Sequence, residues 1–249
     1  ADGVTKALSF MTSAFSCYSG CRQYRENIQV CQKEIGDDAP QFDKLRVFYN
    51  HPGFVGPVSA NVAEALAEFP EDRREKAALI FTAHSIPMSM ATGSLYESQL
   101  KEACRLVGDE LGRDDWSLVY QSRSGPPQQP WLEPDILDHI RDLHQQGITE
   151  MVIMPIGFVS DHMEVLFDLD TEAIELCSEL GINMQRAKTV GTAAPFVSMI
   201  RQLIEERALG NEKLALGPHG PCHDVCPEKC CPSGRPAAGG RPPASRPAP

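Results

Sequence analysis

The chain has 249 residues, enough for one large domain or two small ones, and its 42% hydrophobic content is enough to bury a core. A formal net charge of −11 and a pI near 5.1 argue against a broad surface for nucleic acid or anionic membrane and suit a protein that handles cations. No apolar run approaches membrane-spanning length and residues 1–30 lack a basic-then-apolar secretory leader, so the expected location is the cytosol.

In chain order, residues 6–13 read as a buried strand and 19–34 as a helix. Leu45–Tyr49 reads as a short strand followed by the turn His51-Pro-Gly, and residues 57–68 read as a helix. Ala77–Thr82 is an apolar strand ending at Ala-His-Ser-Ile-Pro. Leu95, Leu100, Cys104, Val107 and Leu111 recur at helical spacing, with Gly112 as a stop. Trp116–Tyr120 is a strand, Pro134–Gln146 a helix, Ile148–Ile156 a strong strand, and residues 162–180 a helix closed by Gly181. Ile182–Lys188 is a strand and residues 194–208 the last helix. Strands alternating with helices imply an α/β protein with a mostly parallel sheet. Residues 210–231 form a Cys-bearing extension, and 232–249, rich in Pro, Gly, Ala and Arg, are expected to be a disordered tail.

Sites in open α/β sheets gather at the carboxyl ends of strands. Three polar segments are expected there: Thr82–Pro87 with His84, Gln121–Pro126, and Pro155–Glu164 with Asp161, His162 and Glu164. A neutral imidazole accepts a proton or ligates a transition metal, and a facing carboxylate can share a divalent cation. On spacing alone a plainer reading competes, in which His84 hydrogen-bonds a loop and Glu164 neutralises a helix N-terminus. Glu164, Asp168 and Glu172 are spaced i, i+4, i+8, with Glu175 three further on. That row is either a conduit for hydrated metal ions or a solvated acidic face. Four of the nine cysteines cluster at Cys222, Cys226, Cys230 and Cys231, which in a reducing compartment reads as a metal or iron–sulfur site before disulfides. Cys31, Cys104 and Cys177 are expected as small hydrophobes in apolar surroundings.

Phe81-Thr-Ala-His-Ser-Ile-Pro closely resembles the signature of the ferrochelatases, and Gly157-Phe-Val-Ser-Asp-His-Met-Glu resembles their second active-site segment. Thr12-Ser-Ala-Phe-Ser-Cys-Tyr-Ser-Gly-Cys-Arg-Gln-Tyr and Tyr120-Gln-Ser-Arg-Ser-Gly-Pro-Pro with Pro130-Trp-Leu-Glu-Pro match in the family's order, so the resemblance covers residues 1 to about 209. It implies two similar doubly wound, chelatase-like lobes with parallel sheets, here the remainder of a first lobe (1–76) and a second lobe (77–209). The implied reaction is insertion of Fe²⁺, the substrate metal, into a porphyrin in haem biosynthesis. Coproporphyrin III is favoured by likeness to actinobacterial members, and protoporphyrin IX is the alternative.

By the same resemblance His84 and Glu164 form the catalytic and metal pair across the porphyrin, with Asp161 as a polar neighbour of the carboxylate. Tyr24, Trp131, Phe158 and His162 bind the porphyrin, and Asp168 and Glu172 belong to the metal conduit. Related members carry a [2Fe–2S] cluster on three extension cysteines and one from the first lobe. Here that means four of Cys21, Cys222, Cys226, Cys230 and Cys231, with Cys17 the alternative to Cys21. The family's Asn-x-Gly-Gly-Pro-like opening turn is not found, so the chain is expected to begin inside the first lobe, to lack part of the pocket, and to show little activity. A cobalt chelatase, or an inactive fragment that binds porphyrin or an iron–sulfur centre, are the competing readings.

Overall fold

The computed structural model describes residues 3–234. Of the expected tail, residues 235–249 lie outside the described residues. The chain runs β1 (Lys6–Ser9), a π-helical segment Tyr18–Arg22, α1 (Gln23–Ile35), β2 (Gln41–Lys44), α2 (Pro52–Ala67), α3 (Glu71–Arg74), β3 (Ala78–His84), α4 (Met88–Ala91) and α5 (Tyr96–Leu111). It continues through β4 (Trp116–Gln121), α6 (Ile136–Gln145), β5 (Glu150–Met154), α7 (Met163–Phe167), a second π-helical segment Asp168–Ala173, α8 (Ile174–Leu180), β6 (Asn183–Arg186) and α9 (Ala194–Leu209). Strands β1 and β2 pair in parallel, and β4-β3-β5-β6 form a parallel four-stranded sheet.

Both faces of the larger sheet are covered, as a parallel sheet requires. Leu79, Phe81 and Ala83 of β3 face one cluster with α2, α5 and α9, represented by Val58, Leu100 and Leu203. Ile80, between them, faces the other cluster with Ile140 of α6 and Val165, Leu169 and Cys177 along α7–α8. The connection after β3 therefore runs on one face and that after β5 on the other. Neighbouring strands whose crossovers diverge leave a crevice outside their carboxyl ends, and β3 and β5 are such a pair.

Local chemistry explains most element ends. Gly112 and Gly181 adopt φ of +66° and +69° and close α5 and α8, as only glycine does cheaply. Three expectations are corrected. Leu45–Tyr49 is not a strand: the ladder to β1 runs over Gln41–Lys44, and residues 45–51 are a buried run outside it that closes in a turn, where His51 N donates to Phe48 O at 2.9 Å. Helix α2 begins at Pro52 rather than residue 57, because His51 caps it and proline suits the first helical position. The helix over 162–180 is continuous but contains a π-helical middle. Helix α2 packs on α5, α9, β5 and β6, and one core joins Phe15 and Phe48 to Phe81 and Phe196.

Candidate active site

His84 ends β3 in register with Gln121 of β4. Its loop is tied down from three directions: Ser85 N donates to Gln121 O at 2.8 Å, Ser85 Oγ to Leu132 O at 2.8 Å, and the buried Tyr96 hydroxyl to His84 O at 3.0 Å. His84 Nδ1 lies 2.6 Å from Ser85 O. A carbonyl only accepts, so Nδ1 carries a hydrogen, and the lone pair of the neutral tautomer falls on Nε2. Nε2 faces Glu164 Oε1 at 3.4 Å, with the two side chains 34% and 45% exposed.

Glu164 arrives from the neighbouring strand because Gly157 lets its loop lie against β3. A Cβ at Gly157 would come within 2.7 Å of Ala83 Cα and Cβ, and Gly157 N donates to Thr82 O at 3.0 Å. Glu164 then falls in the first turn of α7, where the helix dipole also favours a carboxylate.

His84 opens on a cleft of about 790 Å³ that Tyr24, Tyr96, Trp131 and His162 also line. Trp131 is seated by Gly125, where a Cβ would come within 2.4 Å of the indole. Its Nε1 is buried without a hydrogen-bond partner. Of the expected porphyrin contacts, Tyr24, Trp131 and His162 share the cleft with His84, whereas Phe158 does not line it. Phe158 packs on the second hydrophobic cluster and meets the His162 ring at 5.2 Å and 74°, so it buttresses the wall from behind. Asp161 is turned away from His84 into a pair with Arg186 at 2.7 Å, and Arg186 also binds Asp170 at 2.6 Å.

Asp168 is half-buried and held through one oxygen: its Oδ2 accepts from Gln121 Nε2 at 3.0 Å and from Ser122 Oγ. Gln121 is aligned by Thr82, whose hydroxyl donates to Gln121 Oε1 at 2.8 Å. Ser122 adopts φ of +61°, an uncommon conformation for a residue with a side chain. Glu172 and Glu175 are exposed. The polarity of Gln121–Pro126 marked this segment in the sequence, whereas the contact with Asp168 had no sequence signal. Tyr96 had none either, since its position reads as one more apolar contact of a helix.

A second cavity, of about 280 Å³, is lined by Cys21, Cys222, Cys226, Cys230 and Cys231. Cys17 lines the cleft instead, and its sulfur accepts from Gly20 N at 3.2 Å. A hydrogen bond from Cys226, aided by Lys44, lowers the Cys21 thiol to about 7 against the opposing effect of burial, and the same bond helps push Cys226 up to about 12. The extension is clamped to α1 and the π-helical segment before it. Arg22 Nη1 donates to Cys230 O at 3.0 Å, Arg25 Nη1 to Pro227 O at 3.3 Å and Cys230 Sγ at 3.7 Å, and Arg25 Nη2 to Glu228 O at 3.2 Å. It is also pinned to the core, since Asn50 Nδ2 donates to Leu216 O and Gly220 O at 3.2 and 2.8 Å. No group of three or more His, Cys, Asp or Glu side chains is arranged to hold a single metal ion among the described residues. All nine cysteines are free thiols. Cys104 and Cys177 are buried, but Cys31 is exposed, because α1 buries none of its residues.

A family model described as Ferrochelatase matches residues 1–208. The chain is 56% identical over 248 residues to a ferrochelatase of Rhodopirellula baltica, covering 97% of this chain and 70% of the relative. It is 45% identical to a coproporphyrin III ferrochelatase of Streptomyces griseus and 46% identical to one of Streptomyces coelicolor, covering 96% of this chain and 70% of each relative. Among solved structures, SirB from Bacillus subtilis with Fe3+ superposes with a TM-score of 0.54 at 12% identity, covering 82% of this chain and 74% of that one, which is a likeness of fold.

Proposed function

Because the chain belongs to the ferrochelatase family, enzymes that insert a divalent metal into a porphyrin in haem biosynthesis, we propose that it places Fe²⁺ in coproporphyrin III and does so between His84 and Glu164. Coproporphyrin III is preferred over protoporphyrin IX because relatives of 45% and 46% identity are named for it. The observation that carries the site is the 3.4 Å approach of His84 Nε2 to Glu164 Oε1 at the end of β3, beside the Trp131 wall.

A free-base porphyrin carries two N–H protons that leave as the metal enters. His84, with Nδ1–H committed to Ser85 O, offers Nε2 as the base, and Glu164 accepts the proton from it or shares the incoming cation. The fixed walls at Trp131 and His162 fit a ring pressed out of plane, which exposes the pyrrole nitrogens. Asp168 and Glu172 supply negative charge on the approach to Glu164. Anaerobic assay of Fe²⁺ insertion tests the reading. His84→Ala should cost roughly 10²–10⁴-fold in turnover while the far-ultraviolet dichroism stays unchanged. Turnover that survives the substitution would overturn the assignment, and equal rates with the two porphyrins would overturn the substrate preference.

We also propose that Cys21, Cys222 and Cys226, with Cys230 or Cys231, hold a [2Fe–2S] cluster. The donor set supports it: sulfur donors line one cavity, and Lys44, Arg22 and Arg25 lie close enough to offset anionic sulfur. The purified protein should be reddish and contain about two iron and two sulfide per chain. A colourless, zinc-bearing protein is the outcome against it. A reducing, cytosolic setting is consistent with nine free thiols, and no helix among the described residues is long and apolar enough to cross a membrane.

A further inference from the structure

The C-terminal extension does not end its course at the thiol cavity. Cys231 turns the chain with φ of +49°, and the next three residues pass to the cleft. Pro232 seats on Gly93, where a Cβ would come within 2.4 Å of Pro232 Cγ. Gly234 has φ of +67° and lies against the backbone of α4, so that a Cβ there would come 2.5 Å from Ser89 Oγ, 2.8 Å from Ser89 C and 2.9 Å from Met90 N. Two glycines, one on each partner, thus permit contacts too close for any other residue. Ser233 and Gly234 line the same cleft as His84, Tyr24 and Trp131. One continuous stretch therefore borders the thiol cavity through Cys230 and Cys231 and the cleft through Ser233 and Gly234.

We propose that Pro232–Gly234 is a substrate-positioning segment, a part of the porphyrin-binding wall that the extension contributes in addition to its cysteines. The proposal rests on the cleft being the porphyrin site. A macrocycle entering the cleft meets the segment on the side of α4. Its effect is on holding the porphyrin, not on the metal.

The test is titration of coproporphyrin III by its own fluorescence against four proteins: the full chain, a chain ending at Ala237, a chain ending at Cys231, and Trp131→Ala. The first two should bind equally, and the third about tenfold more weakly, the equivalent of one good buried contact, with the KM for the metal unchanged. Gly93→Leu, which drives Pro232 off its seat at full length, should weaken binding in the same direction and carries the test if the chain ending at Cys231 does not fold. Full-strength binding by the chain ending at Cys231 and by Gly93→Leu, with Trp131→Ala impaired, would overturn the proposal while sparing the cleft. Loss already at Ala237 would overturn it by assigning the effect to the residues beyond. Unimpaired binding by Trp131→Ala would instead overturn the reading of the cleft on which the proposal depends.

Discussion

Asp168 meets two donors on a single carboxylate oxygen, and Ser122 accepts a positive φ to supply one of them. A carboxylate held this way stays oriented with its other oxygen available, which suits a group that passes a cation onward. Ser122→Ala should raise the metal KM about three- to tenfold and leave the porphyrin KM alone, the loss expected for one hydrogen bond to a charged group. An unchanged metal KM would assign Ser122 to structure only. His51 gives a prediction of another kind. Burial, with Arg46 nearby and Glu206 opposing, lowers its imidazole to about 4. The unfolded residue takes its proton near 6.5, so between those values the unfolded state binds the proton that the fold refuses. The contribution is complete above about pH 6.5 and is lost as pH falls toward 4, at most about 3 kcal/mol. Urea midpoints measured across that range should fall with pH in the native protein. They should fall less in His51→Asn, which keeps a side-chain acceptor for Gly53 N. At this scale the sequence motifs single out His84, Trp131 and Tyr24, which line one cleft, and Glu164, which lies 3.4 Å from His84. The partners of Asp168 and the turning away of Asp161 depend on which side chain a neighbouring strand brings near, and no spacing encodes that.

Along the second half of the β5–β6 connection the buried residues are Val165, Leu169, Ala173 and Cys177, a strict repeat of four. Four residues overshoot one α-helical turn by roughly 40°, so a plain α-helix would carry the later ones off the core. The π-helical segment Asp168–Ala173 takes more residues per turn and cancels the drift. The same correction keeps Glu164, Asp168 and Glu172 along one line. Deleting Thr171, which is exposed, changes the spacing of the buried residues from four-four-four to four-three-four, which a plain α-helix holds on one face. Ala173 and Cys177 should then stay on the sheet without the wide turn, with a melting point within about 4 °C of the native protein. A melting point lower by more than about 10 °C would mean that the wide turn does more than hold the phase. Elements with a clean period were legible to within a few residues. The wide turn was not, because a repeat of four looks like an ordinary amphipathic stripe. Leu45–Tyr49 was misread because a buried run has the composition of a strand whether or not a partner strand is present.

Across the whole molecule, the extension is attached through a buried ion pair. Arg46 Nε and Glu206 Oε2 are 2.7 Å apart with side chains 1% and 2% exposed, and Leu214 bonds to both partners through its carbonyl and amide. Removing one charge leaves the other stranded, so Glu206→Gln should cost roughly 3–5 kcal/mol in urea unfolding. It should also expose residues beyond Gly210 to limited proteolysis. Replacing both partners, Arg46→Met with Glu206→Leu, should recover most of the stability, and failure to recover would show that the bonds to Leu214 matter more than the charge. The α/β class and the place of the site at the strand ends were legible from the order of elements alone. The packing of α2 on α5, α9 and the larger sheet was not, since nothing in its sequence names the helices it meets. That unbroken core lies directly beneath the cleft, from Phe15 through Phe81 to Phe196, and it bears on mechanics. A close-packed interior compresses little, so His84 and the cleft walls at Ile86 and Tyr96, which belong to that core, stand on one stiff bed. A flexible macrocycle forced between such walls yields before they do, and the work of bending falls on the ligand.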